Sequence, residues 1–157
     1  MICALTVTLR KATEADLPLL ARMNRHLIVD EGSPNPMNVQ QLEDRMRGWF
    51  FSDWHIDLIC HDQDVVGYAL YQFRKNQYFP DQEEVYLRQY FIKREYRRQG
   101  FGQAGIRLLL ETRFKPGQTV ILDVLERNTA GKQFWRKVGF APYTTTMTLR
   151  NPFGEPT

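Results

Sequence analysis

The stretch RRQGFGQAGIRLLLE, residues 97–111, decides how the rest of the chain is read. Gly100, Gly102 and Gly105 spell G-x-G-x-x-G, and an apolar helical pattern of Ile106, Leu109, Leu110 and Phe114 follows them. In a dinucleotide-binding unit that string comes almost directly off a strand, with an acid about 20 residues further on. Asp123 stands at that distance, but the approach is wrong. Seven mostly polar residues, Lys93 to Gln99, separate Ile92 from Gly100. Too little chain lies on either side for a doubly wound sheet, so the Rossmann reading is set aside. There is no G-K-[ST], which argues against a nucleoside triphosphate with Mg²⁺.

Two readings remain for these glycines. One is close packing of a helix on a strand, with Arg97 and Arg98 as a solvated face. The other is an anion cradle. A strand ends, the chain turns, and backbone N–H groups from about Gln99 to Gln103 converge at a helix N-terminus, where the helix dipole favours negative charge. Glycines there leave room for a pyrophosphate, and the two arginines add positive charge.

The chain around this segment is 157 residues long, enough for one domain spanning residues 1–157 with its own core. Its 43% hydrophobic and 25% charged residues are those of an ordinary globular protein. The net charge of +3 comes from 21 basic and 18 acidic residues that are interspersed, which is no nucleic-acid footprint. KREYRR, residues 93–98, is the only dense basic cluster. Cys3 and Cys60 are too few for a disulfide framework, and no His/Cys spacing suggests a metal. The opening MICALTVTL lacks a positive leader and reads as a strand, and no apolar run nears the roughly 20 residues of a membrane span. These features predict a cytoplasmic protein with neither membrane nor nucleic-acid partner, as a monomer or homodimer.

Periodicity predicts the order β-α-α-β-β-β-α-β-α-β. Leu5, Val7 and Leu9 alternate as a first strand, and Thr13 or Asp16 caps a helix carrying Leu17, Leu20 and Met23. DEGSPNPM, residues 30–37, is a loop. Asn38 with Gln41 resembles a capping box ahead of Leu42, Met46, Trp49 and Phe50. Residues 55–60 and 65–73 read as a hairpin, Val85 to Ile92 as a further strand, and TVILDVLE as another. Asn128 caps a short helix closed by Gly139, and Tyr143 to Leu149 alternate as a last strand. Hairpins first and a βαβ crossover later imply an α/β fold, α+β-like, with a mixed sheet flanked by helices on both faces.

Two blocks of the sequence resemble the GNAT superfamily of acyl-CoA-dependent N-acetyltransferases. RRQGFG matches that family's R/Q-x-x-G-x-G/A signature. VYLRQYFIKREYRRQGFG resembles its fourth strand, loop and third helix, and LDVLERNTAGKQFWRKVGF its fifth strand, fourth helix and closing Gly-Phe. The resemblance implies a GNAT-type fold and acetyl-CoA as co-substrate, with no metal. It implies that the backbone of Tyr90, Phe91 and Ile92 binds the pantetheine arm. It assigns the pyrophosphate to Arg97, Arg98, Gln99, Gly100, Phe101, Gly102 and Gln103. Asn128 matches a position that often contacts pantetheine, besides being a helix cap. Phe134 and Trp135 pack near the cofactor or belong to the core.

The implied reaction is transfer of an acetyl group to a primary amine of a small molecule or peptide. A lysine-like amine, pKa about 10.4, is neutral in only about one molecule in 2,500 at pH 7, so a base or a desolvating site is needed. The family commonly takes that base from a carboxylate on its fourth strand, for which Glu84 and then Glu83 are the candidates. Its general-acid tyrosine is replaced here by Trp135, leaving Tyr143 or no group at all as the acid. IVDEGSPNP aligns with the variable substrate loop, where Asp30 and Glu31 are candidates to pair with a cationic amine. The alternative to an enzyme is a non-catalytic acyl-CoA-binding sensor, and after it a protein-interaction domain with a vestigial cradle.

Overall fold

A computed structural model describes residues 5–155. Its elements are β1 (Thr8–Lys11), α1 (Leu17–Glu31), α2 (Val39–Phe50), β2 (His55–His61), β3 (Asp64–Lys75), β4 (Glu83–Ile92), α3 (Phe101–Thr112), β5 (Val120–Ile121) and α4 (Thr129–Val138). Short 3₁₀ turns at Glu14–Asp16 and Arg94–Tyr96 lead into α1 and towards α3. Among the described residues no helix is long and apolar enough to cross a membrane.

Local chemistry sets the helix ends. The Asp16 carboxylate accepts from the Thr13 backbone N–H at 2.7 Å and from Arg10 at 2.9 Å, so both residues named as caps take part in the entry to α1. Gly32, in the left-handed region at φ 71°, ends that helix. Asn38 and Gln41 exchange 2.9 Å hydrogen bonds in a full capping box at α2.

The five strands lie in sequence order. β1 to β4 pair antiparallel, and β4–β5 pair parallel across the crossover through α3. On one face, Ile56, Leu58, Tyr68, Leu70 and Phe91 pack with Leu17, Leu20, Met23 and Met46 of α1 and α2. On the other, Ala69, Tyr71, Val85 and Leu87 pack with Ile106 and Leu109 of α3 and with Phe134, Trp135 and Val138 of α4. The helices thus cover both faces, as the pattern predicts.

β4 carries the irregularity that makes the site. Leu70 pairs with Gln89 but the next residue, Tyr71, pairs with Leu87, so Arg88 is an extra residue on β4. That bulge bends the strand and shifts its facing: Leu87 and Tyr90, three apart, both meet the α3 side. Pairing with β5 is confined to Val85–Val120 and Tyr86–Ile121, just before the bulge. Beyond it β4 continues to Ile92 with β3 as its partner.

Two expectations differ from the structure. TVILDVLE contributes only Val120–Ile121 as strand, because the bulge carries β4 away from it. The last strand over Tyr143 to Leu149 is not formed. Among the described residues, 141–150 have no backbone hydrogen-bonded partner, and Tyr143, Met147 and Leu149 are 88–89% exposed. Alternation supplies a preference for extended backbone, but a strand also needs an edge to pair with. β5 extends for only two residues and offers no ladder to this segment.

Candidate active site

The parting of β4 and β5 opens a cleft of about 440 Å³. Leu87, Arg88 and Tyr90–Ile92 form its floor. Leu122, Asp123, Asn128, Phe134 and Trp135 line the β5–α4 side, and Asp30 and Glu31 at the end of α1 line the other. Arg97, Arg98, Gly100, Gly102 and Gln103 close one end. The residues that the family resemblance names for the cofactor, all but Gln99 and Phe101, therefore line one opening.

At that end the backbone turns through two left-handed residues, Arg98 at φ 61° and Gly100 at φ 89°. Gly100 is the N-cap of α3 and has no side chain to cap with. Among the described residues, none of the backbone N–H groups from Arg98 to Gln103 has a hydrogen-bond partner. A helix N-terminus with consecutive free donors and no competing side-chain oxygen suits an anion. The Phe101 ring is buried at 3% exposure, edge-on to His61 and Tyr96, so it anchors α3 while its N–H stays at the cradle. Gln99 spends its side-chain amide on the Glu95 carbonyl at 3.0 Å.

The glycines serve packing as well. A Cβ at Gly102 would meet the Phe134 ring at 3.0–3.1 Å, and one at Gly105 would strike the Tyr90 hydroxyl. The packing reading of the glycines therefore holds, on the same helix turn that carries the free N–H groups.

Arg97 is not a free phosphate ligand. Its Nε donates to the Ile92 carbonyl at 2.8 Å, its Nη2 to Asp30 at 2.7 Å, and its backbone N–H to Arg94. Arg94 also donates to Asp30 at 2.7 Å. Burial alone would raise the Asp30 pKa, but the two guanidiniums outweigh it and hold the carboxyl below its ordinary value. Asp30 is therefore a brace between α1 and the loop before α3, and the Ile92 carbonyl is already in use. Among the described residues Arg98 has no such partner.

Asn128 lines the cleft and also accepts from the Gly131 N–H at 3.0 Å, so it caps α4 as expected. Trp135 is set edge-on to Tyr90, Phe134 and Phe140 at centroid distances of 5.6, 4.8 and 5.3 Å.

The acid–base candidates lie elsewhere. Glu83 and Glu84 begin β4 and line a second groove with Asn76 and residues 115–119, at the far end of the strand from the cradle. There Glu84 accepts from Asn76 at 3.0 Å, and Glu83 from Gln118 at 3.2 Å. The paired part of β4–β5 stands between them and the cleft. Tyr143 sits in the unpaired C-terminal segment, 88% exposed and outside the cleft lining.

Arg88 and Tyr86 escaped the sequence reading, and the fold gives Glu31 and Asp123 settings other than those their spacing suggested. Glu31 is the last residue of α1 and not part of a solvated loop; burial first, and then the charge of Asp30, raise its pKa. Among the described residues it has no ion pair. Tyr86 and Asp123 meet across the last β4–β5 pair, where the hydroxyl donates to the carboxylate at 2.7 Å. They are 37 residues apart, and only the parallel register brings them together. Arg88 is the bulge residue itself, which no composition or spacing marks.

Residues 23–140 match the sequence profile of the acetyltransferase (GNAT) family. The chain belongs to that family, whose members are acyl-CoA-dependent acyltransferases. No curated protein sequence matches it. Among solved structures it resembles an acetyltransferase from Trypanosoma brucei, 24% identical, with 92% of this chain and 99% of that one covered at a TM-score of 0.66. A possible acetyltransferase from Clostridium difficile 630 is 16% identical over 94% and 99% of the two chains, TM-score 0.74. A predicted acetyltransferase from Clostridium acetobutylicum, solved with acetyl-CoA, is 16% identical over 92% and 96%, TM-score 0.69. At these identities the likeness is one of fold.

Proposed function

We propose that this chain transfers the acetyl group of acetyl-CoA to a primary amine of a small molecule or peptide, by direct attack. The observation that carries the reading is the cleft between the parted strands, with a row of unpartnered N–H groups at one end and a desolvated, cation-free carboxylate at its side. The residues present fit acetyl-CoA. The donors from Arg98 to Gln103 stand free at one end of the cleft, and the β4 edge past the bulge is free of β5 for an extended amide-bearing arm. The acetyl-CoA carried by the Clostridium acetobutylicum structure, a protein of the same fold, agrees with this.

Acetyl-CoA supplies a thioester, whose acyl carbon forms the new C–N bond as the C–S bond breaks and CoA thiolate leaves. The protein's part is to hold the two reactants and to take the amine's proton. Glu31 is the group suited to that. Its carboxylate lines the cleft, no cation stabilises its charge, and a raised pKa makes it a stronger base than an ordinary glutamate. Among the described residues, the phenol that lines the cleft, Tyr90, is not free to protonate the thiolate. It donates to Gly102, and burial holds its pKa up. A thiol pKa near 8.5 lets the thiolate leave without such help. A non-catalytic acyl-CoA sensor is the second reading, favoured by Trp135 at the family's acid position.

Thermal shift with acetyl-CoA, followed by acetyl transfer to a panel of amines, tests both. Ligand at 100 times its Kd adds about 2.7 kcal/mol of stability. A shift in the native protein that is lost in a folded Gly102→Glu variant is expected, together with amine-dependent release of CoA thiol. A shift without turnover on any amine selects the sensor, and no shift at all rejects both.

A further inference from the structure

Beside the cleft, on the α1–α2 side of the sheet, three arginines interleave with three aromatic rings. Arg45 lies 4.7 Å from the Trp49 ring and Arg88 lies 5.1 Å from it. Arg88 is also 6.0 Å from Trp54, Arg74 is 5.7 Å from Trp54, and Arg74 is 4.1 Å from Tyr86. Among the described residues none of the three guanidiniums has a carboxylate partner, although six other arginines do. Arg74 has the Gln72 amide oxygen and Arg45 the Asn24 oxygen, both neutral.

Burial first, and then the charge of Arg88, disfavour the charged form of Arg45. Two buried donors, Arg45 Nε and Asn24 Nδ2, have no partner. An unmade buried hydrogen bond costs about 1–3 kcal/mol, while an exposed cation–π contact returns about 0.5–1 kcal/mol. The aromatic rings alone therefore do not account for two guanidiniums at one indole. An oxyanion paired with them would. A guanidinium fork matches carboxylate or phosphate in particular.

Arg88 places this charge within reach of the reaction. It is the bulge residue, it lines the cleft, and Glu31 lines the same cleft from α1. We infer that the acceptor side of the cleft binds an oxyanion carried by the amine itself, held by Arg88 with Arg45 behind it. The preferred acceptors are then amines bearing a carboxylate or a phosphate. The inference rests on the acetyltransferase reading for the reaction, but not for the binding.

The test pairs each amine that carries an oxyanion with a counterpart that lacks it: γ-aminobutyrate with 4-aminobutanamide, and O-phosphoethanolamine with ethanolamine. Release of CoA thiol gives kcat/KM for each at low ionic strength. At least one anionic member should exceed its counterpart by tenfold or more, and the pair that does so tells carboxylate from phosphate. Arg88→Gln and Arg45→Gln should each shrink that ratio at least fivefold, through KM, whereas Arg88→Lys keeps part of it. Equal use of both members of both pairs would overturn the inference, as would a preference that survives both glutamine variants. If no amine is acetylated, calorimetry of γ-aminobutyrate and O-phosphoethanolamine on the CoA-saturated protein decides separately. Binding that is lost in Arg88→Gln upholds the anion site although transfer has failed, and no binding rejects it.

Discussion

The hydroxyl of Tyr90 donates to the Gly102 carbonyl at 2.6 Å, and the same hydroxyl occupies the space that a side chain at Gly105 would need. One phenol thus fixes how closely α3 approaches β4, and with it the position of the free N–H groups at the helix start.

Gly105→Ala is expected to destabilise the protein despite a helix-propensity gain of up to about 1 kcal/mol. The added methyl meets the Tyr90 hydroxyl and, at 3.2 Å, Ile59, and overpacking of that kind costs about 1–3 kcal/mol. Tyr90→Phe alone should cost about 1 kcal/mol by removing the hydrogen bond to the Gly102 carbonyl. The double variant should be more stable than the two single losses sum to, because the phenylalanine removes the atom that clashes. Urea midpoints of the four proteins measure this, and strict additivity would show that the hydroxyl does not set the spacing.

Asp57, 1% exposed on the α3 face of β2, accepts from Tyr71 at 2.6 Å and from Arg113 Nη2 at 3.1 Å. Arg113 follows directly on α3, so the pair ties the end of that helix to the sheet. Asp57→Ala leaves the guanidinium and the phenol without their acceptor, and breaking a buried pair from one side costs about 3 kcal/mol. Equilibrium unfolding should show that loss. Because the ion pair lies at the opposite end of α3 from the cradle, acetyl-CoA affinity at a temperature where the variant stays folded should change far less.

Much of this was legible from spacing alone. The Asn38–Gln41 box, the Gly100 and Gly139 helix boundaries, and the order of helices and strands up to α4 follow from local chemistry, which sequence carries directly. What was hidden depends on pairing. The bulge at Arg88 is a register event between two strands, and it shortens β5 and opens the cleft. Glu31 reads as loop because Gly32 and two prolines follow it, yet α1 extends through it and turns it inward. Arg97 reads as a phosphate ligand until the fold brings Asp30 to it from 67 residues away. Tyr143 to Leu149 have the alternation of a strand but lack an edge to join.

Glu31 ties stability and activity to pH in opposite senses. Its pKa is raised in the folded state by burial and by Asp30, so folding favours the protonated form. Its contribution to stability is fully present below the unfolded-state pKa of about 4.3 and is lost as pH rises through the higher folded value. Glu31→Gln should therefore raise Tm at pH 7, with the gain fading below pH 4. Its effect on transfer should be the reverse. The native acid limb of kcat/KM should lie above the ordinary glutamate range and vanish in the variant, with a loss of roughly 10² to 10⁴ near neutrality that shrinks at high pH. A variant that keeps the limb would remove Glu31 from the reaction.

Glu84, Tyr143 and Trp135 form the last comparison. Glu84 sits in the far groove bonded to Asn76, so Glu84→Gln should leave kcat/KM within about twofold, or about 0.4 kcal/mol of barrier. Tyr143 is exposed and outside the cleft, and Tyr143→Phe should behave in the same way. Trp135 is inside the cleft but has no proton to give near neutral pH, so it acts through its contacts with Tyr90, Phe134 and Phe140. Trp135→Phe keeps an aromatic ring there and should hold kcat within about tenfold, or about 1.4 kcal/mol. Trp135→Tyr would restore a phenol at the position where the related enzymes carry their acid. Steady-state kinetics of these four variants, with Tm as the control for folding, separates the cases. A hundredfold fall in kcat for Tyr143→Phe alone would mean that the C-terminal segment folds back over the cleft during turnover and delivers the acid, and that departure of the thiolate does need a proton.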